Sequence, residues 1–371
     1  MPDSEDRTSN RGMPHRRRPR YKGTHPKSFA ERYKERDAQA YPEMQEHVRA
    51  QGRTPAGTHV PIMVKEVLQC LNPQPRDIVA DATIGYGGHA AAFLEAVGPA
   101  GRLVGFDVDA EELERTGRRL AELGNVSLHR SNFAGIGNVL AAEGIDGYDV
   151  IFADLGVSSM QLDDPARGFS YKHDAPLDMR MDSRLARTAA DVLATIDRAD
   201  LEKTLIDLAD EEDAAAVAAT IVRLRSEHPI ARTLELVDAI LAAKRMTADD
   251  WRRIKGQDSS TIHPAARTFQ ALRILINDEL GALRQLLRSA PWCLRPGGRI
   301  GIITFHSGED RIVKQAFREG LRDGTYAEAP DEVIRPTPAE VRANPRSRPA
   351  KLRWARKGFA APRSTSSCRT Q

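Results

Sequence analysis

Cysteine is scarce in this sequence: three residues, Cys70, Cys293 and Cys368, stand far apart with no CxxC spacing. That usage excludes a structural zinc module and fits a reducing compartment. Long apolar runs are absent as well. No stretch of about 18 apolar residues occurs, and the N-terminus MPDSEDRTSNRGMPHRRRPR has no apolar segment behind its positive charge. A soluble, cytoplasmic chain with no membrane partner is therefore expected. There is no internal repeat. The ten histidines lack paired cysteines or close carboxylates, so no metal site is expected either.

What the chain does have is length and an uneven charge. Its 371 residues suit two domains or one large domain with an insertion. The net charge is only +3, yet residues 1–53 hold 13 Lys/Arg against 8 Asp/Glu, and residues 342–371 hold 9 against none. The middle is acidic. Basic ends on an acidic body point to a polyanionic partner approached by solvated arms. Residues 1–57 show no helical or strand period and read as a disordered arm, and 359–371 reads as a basic tail.

From Val60 onward, short β-branched runs alternate with helix-like stretches. DIVADAT (77–83), RLVGFDVD (102–109), NVSLHR (125–130), YDVIFADLG (148–156) and RIGIITF (299–305) have the look of buried parallel strands. Spans of about 20 residues between the first four can each hold a crossover helix. The fourth and fifth runs are separated instead by a long segment with helical spacing, including Leu201, Leu205 and Leu208, then Val217, Ile221 and Leu224. An α/β domain over 58–162 and 268–358, interrupted by a helical domain over 163–267, is predicted. A long helix is expected from about Thr268 to Leu287, then a turn at RPGG (295–298). RPAKLRWARKG is expected to supply a last edge strand.

The first strand runs into DATIGYGGHA, which places Asp81, Gly85, Gly87, Gly88, His89 and Ala90 at a strand-to-helix turn. Glycines there let the backbone approach a ligand, and the helix N-terminus offers free amides to an anionic group. Asp107 follows twenty residues after Gly87, at the end of the second strand, where a carboxylate can accept both hydroxyls of a ribose. Gly85-x-Gly87-x-x-Ala90 also satisfies a loose dinucleotide fingerprint, so NAD remains an alternative to S-adenosylmethionine. Phe133, after the third strand, and Asp154, after the fourth, would supply an adenine slot and a polar group near the reacting centre. Asp154 opens DLGVSSMQLDD, in which Ser158 and Ser159 could equally be capping residues. His306 follows the fifth strand, where a general-base and a structural role are both open. Glu309 and Asp310 suit the start of the next helix. His263 precedes a helix start that carries Arg267 and Arg273, two candidate phosphate contacts.

Taken together, HVPIMVKEVL (59–68), DATIGYGGH (81–89), DLGVSSMQLDD (154–164), RGFSY with PLDMRMD (167–182), HPAARTFQALRI (263–274) and FHSGEDRIVK (305–314) are recognisable. The chain resembles the bacterial ribosomal RNA small subunit methyltransferase H family, the 16S rRNA (cytosine-N4)-methyltransferases, over about 59–358. The resemblance implies a class I S-adenosylmethionine-dependent α/β fold, Rossmann-like with a mostly parallel sheet and an inserted all-helical domain. It implies cofactor contacts at Gly87, Gly88, His89, Asp107, Phe133, Asp154 and Gln161. It also implies a substrate: the N4 amine of a cytidine in the decoding centre of 16S ribosomal RNA, with the assembled small subunit as partner. Met160 stands where the family often has Pro, and Gly308 where it usually has Leu; neither change removes a polar group.

An exocyclic cytosine amine is a poor nucleophile because its lone pair is delocalised into the ring, so it must be held in line and hydrogen-bonded as it becomes tetrahedral. Many amino-methylating enzymes use Asp/Asn-Pro-Pro-aromatic after the fourth strand. This chain has Asp154-Leu155-Gly156-Val157 there. Asp154 and His306 are thus the candidate catalytic residues, and Phe169, Tyr171 or His306 could position the base. Two other readings stay open on sequence alone: an NAD-dependent oxidoreductase, and a non-catalytic RNA-binding assembly factor.

Overall fold

In the computed structural model the described residues are 61–258 and 261–359, so the arm over 1–57 and nearly all of the tail 359–371 lie outside them. After helix α1 (Val64–Leu71), the five predicted runs become β1 (Ile78–Asp81), β2 (Arg102–Asp107), β3 (Val126–Arg130), β4 (Tyr148–Asp154) and β5 (Leu294–Thr304). β1, β2, β4 and the second half of β5 are largely apolar on both faces, which suits strands covered on both sides, while β3 lies at the sheet edge and is only partly buried. Helices α2 (Gly88–Val97), α3 (Ala110–Leu120) and α4 (Ile136–Ala142) are the short crossovers. The sheet order is β3-β2-β1-β4-β5-β7-β6, all parallel except β7 (Lys351–Lys357), which runs antiparallel to both neighbours. This is the expected mostly parallel, Rossmann-like sheet of a class I methyltransferase.

Alternation along the strands divides the interior in two. Val79, Leu103 and Phe152 point to the side packed by α1, α2 and the Leu120 end of α3. Ala80, Val104, Ile151 and Ile302 point to the side packed by α4 and by the helices that flank β5. A third core, separate from both, holds the inserted helices: α5 (Ser159–Asp163) leads into α6 (Ala189–Thr195), α7 (Arg198–Ala209), α8 (Ala214–Arg225) and α9 (Thr233–Ala243), while α10 (Ala248–Gln257) follows with no buried residue. Leu201, Leu205, Val217, Ile221 and Ile240 are completely buried there, as the helical spacing suggested, whereas Leu234, which the same spacing placed inside, is exposed and Leu236 takes the buried position.

Three details differ from the sequence expectation. The long helix over 268–287 is two helices, α11 (Ala266–Asn277) and α12 (Glu279–Cys293), broken at Asp278 in the left-handed region (φ 46°). Phe269, Ala271 and Leu272 of α11 belong to the helical core, whereas Leu283, Leu286 and Leu287 of α12 pack on the sheet, so the two cores part at Asp278. RPGG is not a free turn but an irregularity within β5: Tyr148 pairs with Leu294, and Val150 next with Arg299. Finally, β7 is not the edge. It inserts between β5 and the short β6 (Tyr326–Glu328), which follows α13 (Ser307–Arg322) and precedes α14 (Pro338–Ala343). The three-residue β6 is too short to show a period of two.

The two cores are joined by ion pairs as well as by chain. Arg167 donates to Asp109 Oδ2 at 2.6 Å and to the carbonyls of Arg180 and Met181. Arg130 reaches Ser183 Oγ at 3.0 Å. No helix among the described residues is long and apolar enough to cross a membrane.

Candidate active site

In a doubly wound sheet, ligands bind beyond the carboxyl ends of the strands where the order reverses, here between β1 and β4. A cleft opens at that point, about 1140 Å³ including its mouth, lined by the 82–89 turn, Asp107, Phe133, Asp154, Gln161 and Glu309 among others. The ends of β1, β2 and β4 supply three carboxyls. Asp81 is buried and takes a hydrogen bond from the Thr83 amide at 3.2 Å. Asp107 accepts the Gly85 amide on Oδ2 at 3.0 Å and the Asp109 amide on Oδ1 at 2.9 Å, so the backbone fixes its plane while one lone pair on each oxygen stays available.

Asp154 is one of seven described residues with a buried side-chain polar atom left unsatisfied and, with Glu112, one of the two that line the cleft. Its amide donates to Thr83 Oγ1 at 2.6 Å, but its carboxyl Oδ1 is buried with no hydrogen-bond partner. Oδ2 stands 3.9 Å from His89 Nδ1. Burial, with Asp81 and Glu309 nearby, pushes the Asp154 carboxyl up to about 8. Burial likewise raises Asp81 to about 7 and Asp107 to about 6. Asp107 and Asp154, held against ionisation and facing the cleft, are what a site for a cationic or hydrogen-donating ligand contains.

These shifts have a consequence for stability. A carboxyl whose pKa is raised in the folded chain keeps its proton over a range where the unfolded chain has lost it. The folded state therefore loses stability as pH rises from about 4, the unfolded value, to about 8 for Asp154. Thermal unfolding of the ligand-free Asp154→Asn protein is expected to lose less stability than wild type between pH 5 and 8. Parallel curves for the two proteins would show that Asp154 ionises normally.

The glycines divide their work. Gly85 (φ 45°) has nothing nearer than the Thr83 carbonyl, 3.8 Å from where a Cβ would stand, and leaves the cleft open. Gly87 (φ 74°) caps α2, and a Cβ there would lie 2.8 Å from Thr116 Cγ2. Gly88 is equally close to Pro61. The glycine requirement at 87 and 88 thus comes from packing against α3 and the segment before α1. Gly87→Ala is expected to destabilise the fold by about 1–3 kcal/mol, read as a lower melting temperature. An unchanged melting temperature would contradict this account of the turn.

His89 is buried, and its Nε2 lies 2.8 Å from the Ile62 carbonyl. A carbonyl can only accept, so that nitrogen carries a proton, and Nδ1 faces Asp154. Gln161 lines the cleft, but its Oε1 accepts the Ser158 amide at 3.1 Å while Ser158 Oγ accepts the Gln161 amide, a reciprocal cap of α5. Phe133 sits in a single 3₁₀ turn, packed against the sheet core at the cleft wall.

Other candidates lie elsewhere. His306 caps α13 through Nδ1, and its Nε2 is 3.3 Å from Glu309 Oε1. Although burial opposes it, His306, the Phe305 amide and Arg273 hold Glu309 below the usual range, and Glu309 lines the cleft where His306 does not. Phe169 is buried in the helical core. Tyr171 stacks on His263 at 4.5 Å, with Trp251 and Phe269 edge-on to this pair. Neither arginine of α11 is free for phosphate: Arg273 holds Glu279 with two bonds (2.8 and 2.9 Å), and Arg267 pairs with Glu212 at 2.9 Å.

Sequence reasoning missed Asn277 and Glu279, which line the cleft from either side of the Asp278 break. Asn277 donates to the Met179 carbonyl and accepts the Met181 amide, fixing the loop that closes one wall. An Asn-Asp pair inside an otherwise periodic helix was the available signal, since both tolerate left-handed backbone.

The model of the MraW methylase family matches residues 56–358, which include every helix and strand described above. The chain belongs to that family. Ribosomal RNA small subunit methyltransferase H 1 of Lachnoclostridium phytofermentans is 41% identical over 353 residues, covering 94% of each chain. The ribosomal RNA small subunit methyltransferase H of Heliobacterium modesticaldum is 44% identical over 318 residues, covering 81% of this chain and 98% of its own. Among solved structures, an rRNA methylase from Streptococcus thermophilus aligns at 12% identity and a TM-score of 0.37, covering 80% of this chain and 95% of that one. Membership sets aside hydride transfer to NAD: the methylase cleft needs a methyl donor, and its acids suit one that carries positive charge.

Proposed function

We propose that this methylase transfers a methyl group from S-adenosylmethionine to the N4 amine of a cytidine in the decoding centre of 16S ribosomal RNA, on the small ribosomal subunit in the cytoplasm. The observation that carries the proposal is the pairing of Asp107, fixed by backbone amides at the end of β2, with the unpartnered buried Oδ1 of Asp154 at the end of β4. The names of the relatives support the RNA substrate, and the resemblance in six motifs supports the cytidine amine.

The residues fit the cofactor. When bound, S-adenosylmethionine supplies an electrophilic methyl on a positively charged sulfur. Asp107 would accept the ribose hydroxyls with the lone pairs its backbone bonds leave unused. Phe133 would bound the adenine slot, and the open space at Gly85 would admit the nucleoside. Gln161 and the α5 cap would shape the wall beside Asp154. The ionised Glu309 favours a cationic ligand over a neutral one, and a bound cation would in turn favour the ionised form of Asp154.

Asp154 would act on the acceptor. Once ionised, its Oδ1 would accept a hydrogen bond from the target amine, draw the nitrogen lone pair out of conjugation, and take up the N–H proton that the methylated nitrogen sheds. His89 stands beside that carboxyl: its Nε2 is anchored on the Ile62 carbonyl, and its Nδ1 lies 3.9 Å from Asp154 Oδ2. His306 stands beside Glu309 in the same manner. Small subunits lacking the modification, incubated with methyl-labelled donor, should acquire label that ribonuclease releases and protease does not. Label in protein, or none with the cofactor bound, would refute the proposal.

A further inference from the structure

Helix α12 has two lives. Glu279 and Ala282 line the cleft, while Leu280 and Arg284, within the same turns, begin a second groove of about 1560 Å³ between α12 and α13. Arg284, Arg288 and Trp292 recur every four residues and so form one stripe, facing Arg311 and Gln315 of α13 across the groove. From Arg284 to Trp292 the stripe runs about 12 Å at 1.5 Å per residue.

Three observations set this groove apart from an ordinary solvated face. Trp292 is 71% exposed, unusual for the largest apolar side chain. Arg284 and Arg311 are exposed and have no ion-pair or hydrogen-bond partner among the described residues. Of the three carboxylates on the rim, Asp207 pairs with Lys203, while Glu319 accepts from Gln315 and Asp323 from the Thr325 amide, so none of them is paired with Arg284 or Arg311. The groove floor also holds the Tyr326 hydroxyl, buried without a partner. Free guanidinium groups beside an open indole are the pairing that binds single-stranded nucleic acid, phosphate on the cations and a base on the ring.

We infer that the α12–α13 groove is a second RNA-binding surface, holding a single-stranded stretch of the substrate RNA next to the nucleotide in the cleft, with Arg284 and Arg311 on phosphates and Trp292 stacked on a base. This rests on the reading of the substrate as ribosomal RNA. It adds a site that none of the cleft residues supply, and it places strand recognition on the α/β domain rather than only on the inserted helices.

The test is filter binding of deproteinised small-subunit RNA and of intact small subunits, over a salt series, with the full chain. Trp292→Ala should weaken binding to both roughly 5- to 100-fold with no change in salt slope, and Trp292→Phe should restore most of it. Arg284→Ala with Arg311→Ala should weaken binding and lower the slope of log K against log salt by about 1.4, two single-strand phosphate contacts. Titration with S-adenosylmethionine should be unaffected, and KM for RNA should rise with kcat constant. Wild-type affinity and slope in the variants would overturn the groove while leaving the methylase reading intact. Weaker binding to subunits but not to bare RNA would overturn it in favour of a protein contact. Failure of the wild-type protein to bind either would overturn the substrate reading itself, and the groove with it.

Discussion

Replacing Asp154 by asparagine is expected to lower kcat for methyl transfer about a hundred- to a thousandfold, with affinity for the donor changed less than about tenfold. The argument is energetic. A carboxyl taken out of water with one oxygen unpaired is costly, and the Asp81 and Glu309 carboxyls nearby make it costlier. The fold tolerates this cost where a ligand satisfies the oxygen, and the amine's N–H groups are the donors the proposed reaction brings. An amide oxygen can accept a hydrogen bond from the amine, but it carries no charge to offset the one that develops on nitrogen. Wild-type kcat/KM should therefore climb with pH as the Asp154 acid loses its proton below or near pH 8, the bound cation moving the midpoint down, whereas the asparagine variant should lack that limb. Single-turnover rates on small subunits at several pH values measure both. A variant within twofold of wild type would remove Asp154 from the mechanism.

Asp107→Ala is the second large effect. It should reduce affinity for S-adenosylmethionine by about a hundredfold or more, because two hydrogen bonds to a charged acceptor are worth roughly 1.5–3 kcal/mol each. The same substitution frees the Gly85 and Asp109 amides, so Asp107→Asn provides the comparison: it keeps one acceptor oxygen and most of the shape. Calorimetric titration should rank wild type above Asn above Ala, with melting temperatures of the two variants close together. Equal affinity in all three would show that Asp107 only ties the glycine turn to α3.

How much of this was visible beforehand depends on range. β1, β2, β4 and β5 were legible because each contains a short apolar run bounded by polar turns and is buried on both faces, whereas β3 is a half-exposed edge strand legible mainly from its spacing. Asp81, Asp107 and Asp154 were legible for the same reason, as acids at the ends of those runs. Where geometry depends on contacts far along the chain, the sequence was silent. Nothing local tells that β7 slips between β5 and β6, since strand order is set by packing. The RPGG signal is that of a turn, and only pairing with β4 makes it an irregularity within a strand. His89 could be placed at the glycine turn, but its bond to the Ile62 carbonyl, 27 residues earlier, required the fold. Arg273 looked like a phosphate ligand because its partner Glu279 lies beyond a break in the helix that periodicity had carried straight through.

The central claim is that one cleft brings a methyl donor to a cytosine amine in ribosomal RNA. The most direct measurement is the identity of the product nucleoside. Small subunits lacking the modification are reacted with the full chain and isotopically methyl-labelled S-adenosylmethionine, and the RNA is digested and analysed by mass spectrometry. The account predicts label in N4-methylcytidine, at a single position in the decoding centre. Label in any other nucleoside would contradict it.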